Sequence, residues 1–336
     1  PVTNRFDVAM YGKRRLSLAL GVSTKTNDAL TGISGAIERS SGFGTATRIS
    51  PSNGLTYASP DVVSNPAGDV YAAFSAEGAG KGGVWVERGT TTSGRFSGRS
   101  TLRTLSGTTQ IQPPNVEMGI ANNGTLYTAF LLEDGTIATA RRSTAGRWTQ
   151  LPTIGLPVDG AKVDFFRMDV PSSGPAVMGI AQGGDVTVRR LTSAADAWSA
   201  PETVASGAYT PAADLPTSLP VGTAAPSFPV MTGFNVATNS KQDVAVAWGT
   251  SGAFQTFPGV GVLFGGDDAQ IRYSRVMRTR DASAWPTATT TEEPAYEAGL
   301  SSFALRDVTV EMDNDRRAVV AYTSAGATQG NDNPLA

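Results

Sequence analysis

PDVVSNPAGDVYAAF (residues 60–74) reads as one β-hairpin. Asp61 opens an apolar run, and Asn65-Pro66-Ala67-Gly68 supplies a turn. Val70, Ala72 and Phe74 then alternate with Asp69, Tyr71 and Ala73. Alternation with period two is a strand signal, and Asn, Pro and Gly set the φ values that a tight reversal needs. The same text returns five more times: FDVAMYGKRRLSLAL (6–20), PNVEMGIANNGTLYTAF (114–130), VDFFRMDVPSSGPAVMGI (163–180), FNVATNSKQDVAVAW (234–248) and RDVTVEMDNDRRAVVAY (306–322). Asn122-Asn123-Gly124 and Asp313-Asn314-Asp315 are turns of the same chemistry. No stretch carries a sustained helical period with caps, so the chain is expected to be all-β.

A second module follows each of the first five hairpins. A third strand ends in charge in ISGAIERS (33–40), GVWVERGT (83–90), IATARRST (137–144), VTVRRLTS (186–193) and IRYSRVMR (271–278). An aromatic residue then leads into a fourth apolar segment: Phe43, Phe96, Trp148, Trp198 and Trp285. A large ring buries much area, which predicts that these aromatics pack between neighbouring repeats; the functional alternative is a sugar-stacking platform. Repeats of four strands are the sequence signature of a β-propeller. The expected fold is a six-bladed propeller in a single domain over 1–336, with blades at about 6–50, 58–105, 114–154, 163–204, 228–291 and 303–336. The last blade has its first hairpin but no third strand or aromatic turn. Two completions are open: residues 1–5 add a strand to the ring, or the natural chain continues past Ala336. Pro1 points to processing or trimming at the N-terminus.

Composition excludes several chemistries. With no cysteine, there is no disulfide or thiolate site, and with no histidine, no Ser-His-Asp triad or His-ligated zinc. A net charge of −2 without a basic stripe argues against nucleic acid as a partner. No apolar run approaches the ~18 residues of a membrane-spanning helix. Abundant Gly, Ser, Thr and Ala with few charges fits a secreted or surface-displayed β-protein. Asn123-Gly124-Thr125 is a glycosylation sequon placed in a turn.

GDVYAAF (68–74), GTLYTAF (124–130), DVAVAW (243–248), GRWTQLPTI (146–154) and AWSAPETV (197–204) together resemble the sialidase-like propellers, in particular the bacterial secreted repeat proteins of exo-sialidase type. The resemblance spans nearly the whole chain. It implies a propeller fold and, for an active member, three arginines on a substrate carboxylate, a Tyr–Glu nucleophile pair and an acid/base Asp. Arg5, Arg167 and Arg306, near first-strand entries, are the arginine candidates; the alternative is that they are solvated or sit between blades. The chain departs from the pattern at its Asp boxes. The nearest text, Ser193-Ala194-Ala195-Asp196-Ala197-Trp198, is degenerate, and no local motif assigns a catalytic residue. Fold does not transmit activity.

Asp7, Asp61, Asn115, Asp164, Asn235 and Asp307 each precede the first apolar residue of an inner strand, with Glu117 competing with Asn115 for its place. One such residue per blade predicts a ring of carboxylates and amides about the propeller axis. Two readings follow. Converging oxygens would hold Ca²⁺ or another hard cation as cofactor. Alternatively, each side chain satisfies backbone N–H groups at its strand entry. The acidic turns Gly265-Gly266-Asp267-Asp268 and Asp313-Asn314-Asp315 are weaker calcium candidates and match neither an EF-hand loop nor a repeat-toxin nonapeptide.

The two longest connections, 205–227 and 249–270, emerge on one side of a propeller so built. The second carries Phe254, Phe257, Val260, Val262, Leu263 and Phe264. It is apolar enough to cover the channel mouth, form a short hairpin or dock on a partner. Two functional classes result. One is a non-enzymatic binding or structural module, with a protein or glycan partner at the cell surface or a homo- or hetero-assembly. The other is a sialidase-type glycosidase.

Overall fold

The computed structural model describes residues 2–11, 15–22, 31–52, 54–58, 60–78, 81–90, 92–106, 116–132, 134–155, 163–192, 196–211, 214, 229–251, 254–257, 261–264, 270–276, 285–292 and 300–328. Among them there is no α-helix. Antiparallel strands form successive sheets, each drawn from one repeat. The chain divides into two compact units, Pro1–Gly160 with Ser193–Ala197, and Ala161–Thr192 with Trp198–Ala336.

The first unit holds three sheets. In the first, Val2–Tyr11 pairs with Arg15–Val22, which pairs with Gly32–Arg39; the short strands Gly42–Phe43 and Thr47–Arg48 both pair with Gly32–Arg39. In the second, Asp61–Ser64 and Thr56–Tyr57 share one partner, Val70–Gly78, followed by Lys81–Thr90 and Arg95–Ser106. Pro60 separates the two short strands because it has no N–H to give the ladder. The third runs Val116–Ile120, Leu126–Leu131, Ile137–Arg142, Trp148–Ile154.

In the second unit, Val163–Asp169, Val177–Gln182, Asp185–Thr192 and Glu202–Ala205 form the fourth sheet. Val230–Thr238, Val244–Ser251, Gln270–Val276 and Thr289–Glu292 form the fifth. Leu300–Met312 and Ala318–Thr328 form a two-stranded sixth. The insertion between the second and third strands of the fifth sheet folds as its own hairpin, Phe254–Phe257 against Gly261–Phe264.

The second strands are apolar on both faces, and alternate residues enter different cores. Val70, Ala72 and Phe74 pack with Ala19, Ile33 and Ile37 of the first sheet. Tyr71 and Ala73 pack with Met118, Leu126 and Phe130 of the third. Phe74 stacks on Trp85, with centroids 5.8 Å apart. In the second unit Val177, Ala181 and Val188 meet Phe234, Val246 and Trp248, while Ala245 and Ala247 meet Val308 and Val310. Small residues on one face thus receive large residues from the next sheet. Gly179 is the extreme case, since a Cβ there would lie 2.8 Å from the Phe234 ring.

The expected place of the aromatics between repeats is seen for Phe96, buried between the first and second sheets. Trp148 packs on the core of the second and third sheets, and Trp285 on that of the fourth and fifth. Phe43 differs: on its two-residue strand it is 47% exposed. Trp198 is half-buried.

Candidate functional site

Strand register decides which inner-strand residues are equivalent. In every sheet the second strand carries a small residue followed by a large one: Ala19-Leu20, Ala73-Phe74, Ala129-Phe130, Gly179-Ile180, Ala247-Trp248 and Ala321-Tyr322. The residues paired with the small member are Asp7, Asp61, Glu117, Arg167, Asn235 and Thr309. Glu117 therefore takes the place for which it competed with Asn115, which lies outside the described residues. Asp164 is three residues before its sheet's position, held by Arg167, and Asp307 is two residues before Thr309. Longer turns and register shifts near these strand entries displace them. Arg5 lies on Val2–Tyr11, and Arg306 and Asp307 on Leu300–Met312. Their side chains fall outside those described, as do those of Phe254, Phe257, Val262, Leu263 and Phe264. Val260 is outside the described residues altogether.

Within each unit the carboxylates reach from one sheet to the next. Asp7 Oδ2 accepts the N–H of Val62 at 2.6 Å. Asp61 Oδ2 accepts the N–H of Met118. Asn235 Nδ2 donates to Thr309 Oγ1 at 3.4 Å. Asp169, two register places further on in the fourth sheet, makes the same connection: its Oδ2 accepts the N–H of Thr238 at 2.6 Å, while its Oδ1 takes that of Val170. In the three carboxylate cases the donor is one place further along the neighbouring inner strand. Asp164 Oδ2 accepts from the Tyr209 hydroxyl at 2.6 Å. Arg167 bonds the carbonyl of Phe166.

These environments disfavour charge. Burial, then the neighbouring Glu117 and Asp7 carboxylates, raise Asp61 well above the usual carboxylate range, against the Met118 hydrogen bond. Asp169 is pushed up to about 6, mainly by burial, with Glu311 adding to the rise. Burial also raises Glu311 and Asp164. Tyr209 is raised by burial and by its bond to Asp164. Among the described residues no group of three or more Asp or Glu gathers in a metal-holding arrangement. The bonds of Asp7, Asp61 and Asp169 to Val62, Met118 and Thr238 satisfy N–H groups of the neighbouring sheet, and Asp169 also satisfies that of Val170 beside it.

Asp196, the acid of the degenerate Asp-box text, forms an ion pair with Arg141 at 2.5 Å. Tyr127 beside them is raised by burial.

Two turn devices share a sequence signal, an Asn four residues before an Asp in NPAGD (65–69) and NSKQD (239–243). Asn65 Nδ2 bonds Asp69 Oδ2 at 3.1 Å and the carbonyl of Ala121, in the next sheet's turn, at 3.4 Å. Asn239 Nδ2 bonds Asp243 Oδ2 and the carbonyl of Asp313, both at 3.1 Å. Asp243, fully buried, also pairs with Arg316 at 3.1 Å.

No protein-family model matches the chain, and no curated protein matches it. Solved structures do. NanB with Optactamide aligns over 96% of this chain and 64% of its own, at 7% identity and a TM-score of 0.54. A protein of unknown function from Dyadobacter fermentans aligns over 95% and 89%, at 12% identity and 0.52. A mutant Aleuria aurantia lectin in complex with Fucα1-6GlcNAc aligns over 96% and 88%, at 11% identity and a lower TM-score of 0.47. At such identities the likeness is one of fold. Among the described residues the chain is an all-β protein of successive antiparallel sheets.

Proposed function

We propose that the six sheets are blades of one β-propeller, and that the chain is a non-enzymatic binding module, secreted or displayed at a cell surface, with a protein or glycan partner. The observation that carries this reading is the use of the inner-strand carboxylates. Asp7, Asp61 and Asp169 accept backbone N–H groups of the neighbouring sheet, so these acids are engaged in joining sheets. The apolar hairpin Phe254–Phe257/Gly261–Phe264, set between two strands of the fifth sheet, is the element assigned to the partner.

The second reading is a sialidase-type glycosidase. It is favoured by the Tyr209–Asp164 hydrogen bond, which sets a phenol on a carboxylate. One experiment separates the two: the purified chain is assayed for hydrolysis of fluorogenic sialosides and other glycosides, and in parallel for binding to immobilised glycans. Saturable binding without turnover, lost when 252–267 is replaced by a short Gly-Ser turn, is the expected result. Turnover abolished by Asp164→Asn or Arg306→Ala would establish the glycosidase instead.

A further inference from the structure

In the first unit a carboxylate meets one particular backbone N–H on the inner strand of the next sheet. Asp7 Oδ2 accepts from Val62, and Asp61 Oδ2 from Met118. Both donors stand one residue beyond the register position held by Asp61 and Glu117. In the second unit the equivalent donor of the fifth sheet is Val236, one residue beyond Asn235, and the residue in register on the sheet before it is Arg167. Successive N–H groups of a strand point to opposite edges. The Asn239 N–H bonds the Asp243 carbonyl of its own hairpin, and the Thr238 N–H leaves that hairpin for Asp169. By the same alternation the Val236 N–H leaves the hairpin on the edge that Thr238 turns to the fourth sheet.

Arg167 lies beside that edge. It is directly opposite Gly179 on the neighbouring strand, and a Cβ on Gly179 would be 3.2 Å from the Cβ of Val236. Directly opposite residues share one face of a sheet, so Arg167 projects toward the fifth sheet at Val236. Its Nη1 donates to the Phe166 carbonyl at 3.4 Å. A guanidinium has donors and no acceptor, so Arg167 cannot take the Val236 N–H as the acids of the first unit take theirs. Val236 is 3% exposed, and among the described residues no acceptor across the sheets meets its N–H. A buried N–H without a partner is costly. Asp169, two residues further along the strand of Arg167, has its oxygens engaged by Thr238 and Val170.

We propose that Arg167 and the Val236 N–H form a receptor for the carboxylate of an acidic side chain, Asp or Glu, carried by a peptide partner. One oxygen accepts the Val236 N–H, as the oxygens of Asp7 and Asp61 do at the equivalent amides, and the guanidinium adds charge-assisted bonding to the same group. The occupant's chemistry is read from those two sites, where an aspartate side chain of the chain itself fills the place. Arg5 and Arg306 lie two and three residues before Asp7 and Thr309, which hold the register position in their sheets. The receptor is therefore one guanidinium and one backbone N–H, not a set of arginines. The inference rests on the protein-partner form of the binding reading but is measured at a single amide of the second unit, so either can fail without the other.

The test follows the ¹H–¹⁵N resonance of the Val236 amide in the full chain during titration with N-acetyl-aspartyl amide, its neutral N-acetyl-asparaginyl counterpart and glucuronate. A saturable downfield shift with the aspartyl probe and none with the asparaginyl probe is expected. Arg167→Gln should weaken the response about tenfold or more, the loss of a charge-assisted partner. Arg167→Asp puts the chain's own carboxylate in the place. Without any probe its Val236 amide should be protected from hydrogen exchange about tenfold more than in wild type, and it should not respond to the aspartyl probe. A wild-type Val236 amide that ignores the aspartyl probe, or an equal response in wild type and Arg167→Gln, would overturn the receptor. Glucuronate binding about tenfold or more tighter than the aspartyl probe would overturn the peptide assignment and give the carboxylate to a saccharide. Should Arg167→Asp fail to fold, the wild-type and Arg167→Gln titrations decide.

Discussion

At the residue scale, the inter-sheet cores set the tightest constraints. Gly179 leaves no room for a methyl group against Phe234, so Gly179→Ala forces the ring or the strand to move. A loss of roughly 1–3 kcal/mol is expected in chemical denaturation, the usual range for overpacking. Trp248 is fully buried, and its indole N–H has no acceptor among the described residues. Trp248→Phe removes that donor and keeps most of the apolar contact, so it should cost under about 1.5 kcal/mol, against about 3–5 kcal/mol for Trp248→Ala. A larger loss for the Phe variant would mean that the N–H is bonded to an ordered water.

At the element scale, a turn of one sheet holds the turn of the next. Asn239 satisfies Asp243 and the Asp313 carbonyl at once, and Asp243 takes the Arg316 guanidinium. Asn239→Ala leaves the buried Asp243 without that donor and is expected to destabilise by about 1–3 kcal/mol. Asp243→Ala is expected to cost about 3–5 kcal/mol, since it strips a partner from a partly buried arginine. Coincident loss of protection at the Ser240 and Arg317 amides would tie both effects to this pair of turns; an effect confined to the substituted turn would show that they act separately. Hairpins and turns were legible in sequence because alternation and Asn/Gly chemistry are local. The same is true of the charged third strands. The bonds from Asn65 and Asn239 to the following turn were not, because they join residues 56 and 74 apart.

At the scale of the whole molecule, the raised carboxyls make stability depend on pH. Asp169 stands at about 6 in the folded chain, above its unfolded value. Its contribution is complete below about pH 4 and is lost as pH rises through about 6. Thermal unfolding followed over that window should show the second unit losing stability with rising pH, and Asp169→Asn should flatten the profile. An unchanged profile would place the titration elsewhere. The amino-acid sequence by itself determined the all-β class, the number of hairpin repeats and the apolar insertion, since each follows from short-range patterning. It did not determine which polar residues are equivalent. Arg167 rather than Asp164, and Thr309 rather than Asp307, stand in register with Asp61. Register depends on pairing across turns of unequal length, which patterning at the strand entry does not report. Nor did it determine what the inner-strand acids do. Their donors Val62, Met118 and Thr238 lie 55, 57 and 69 residues away, and only the packing of one sheet on the next brings each N–H to its carboxylate.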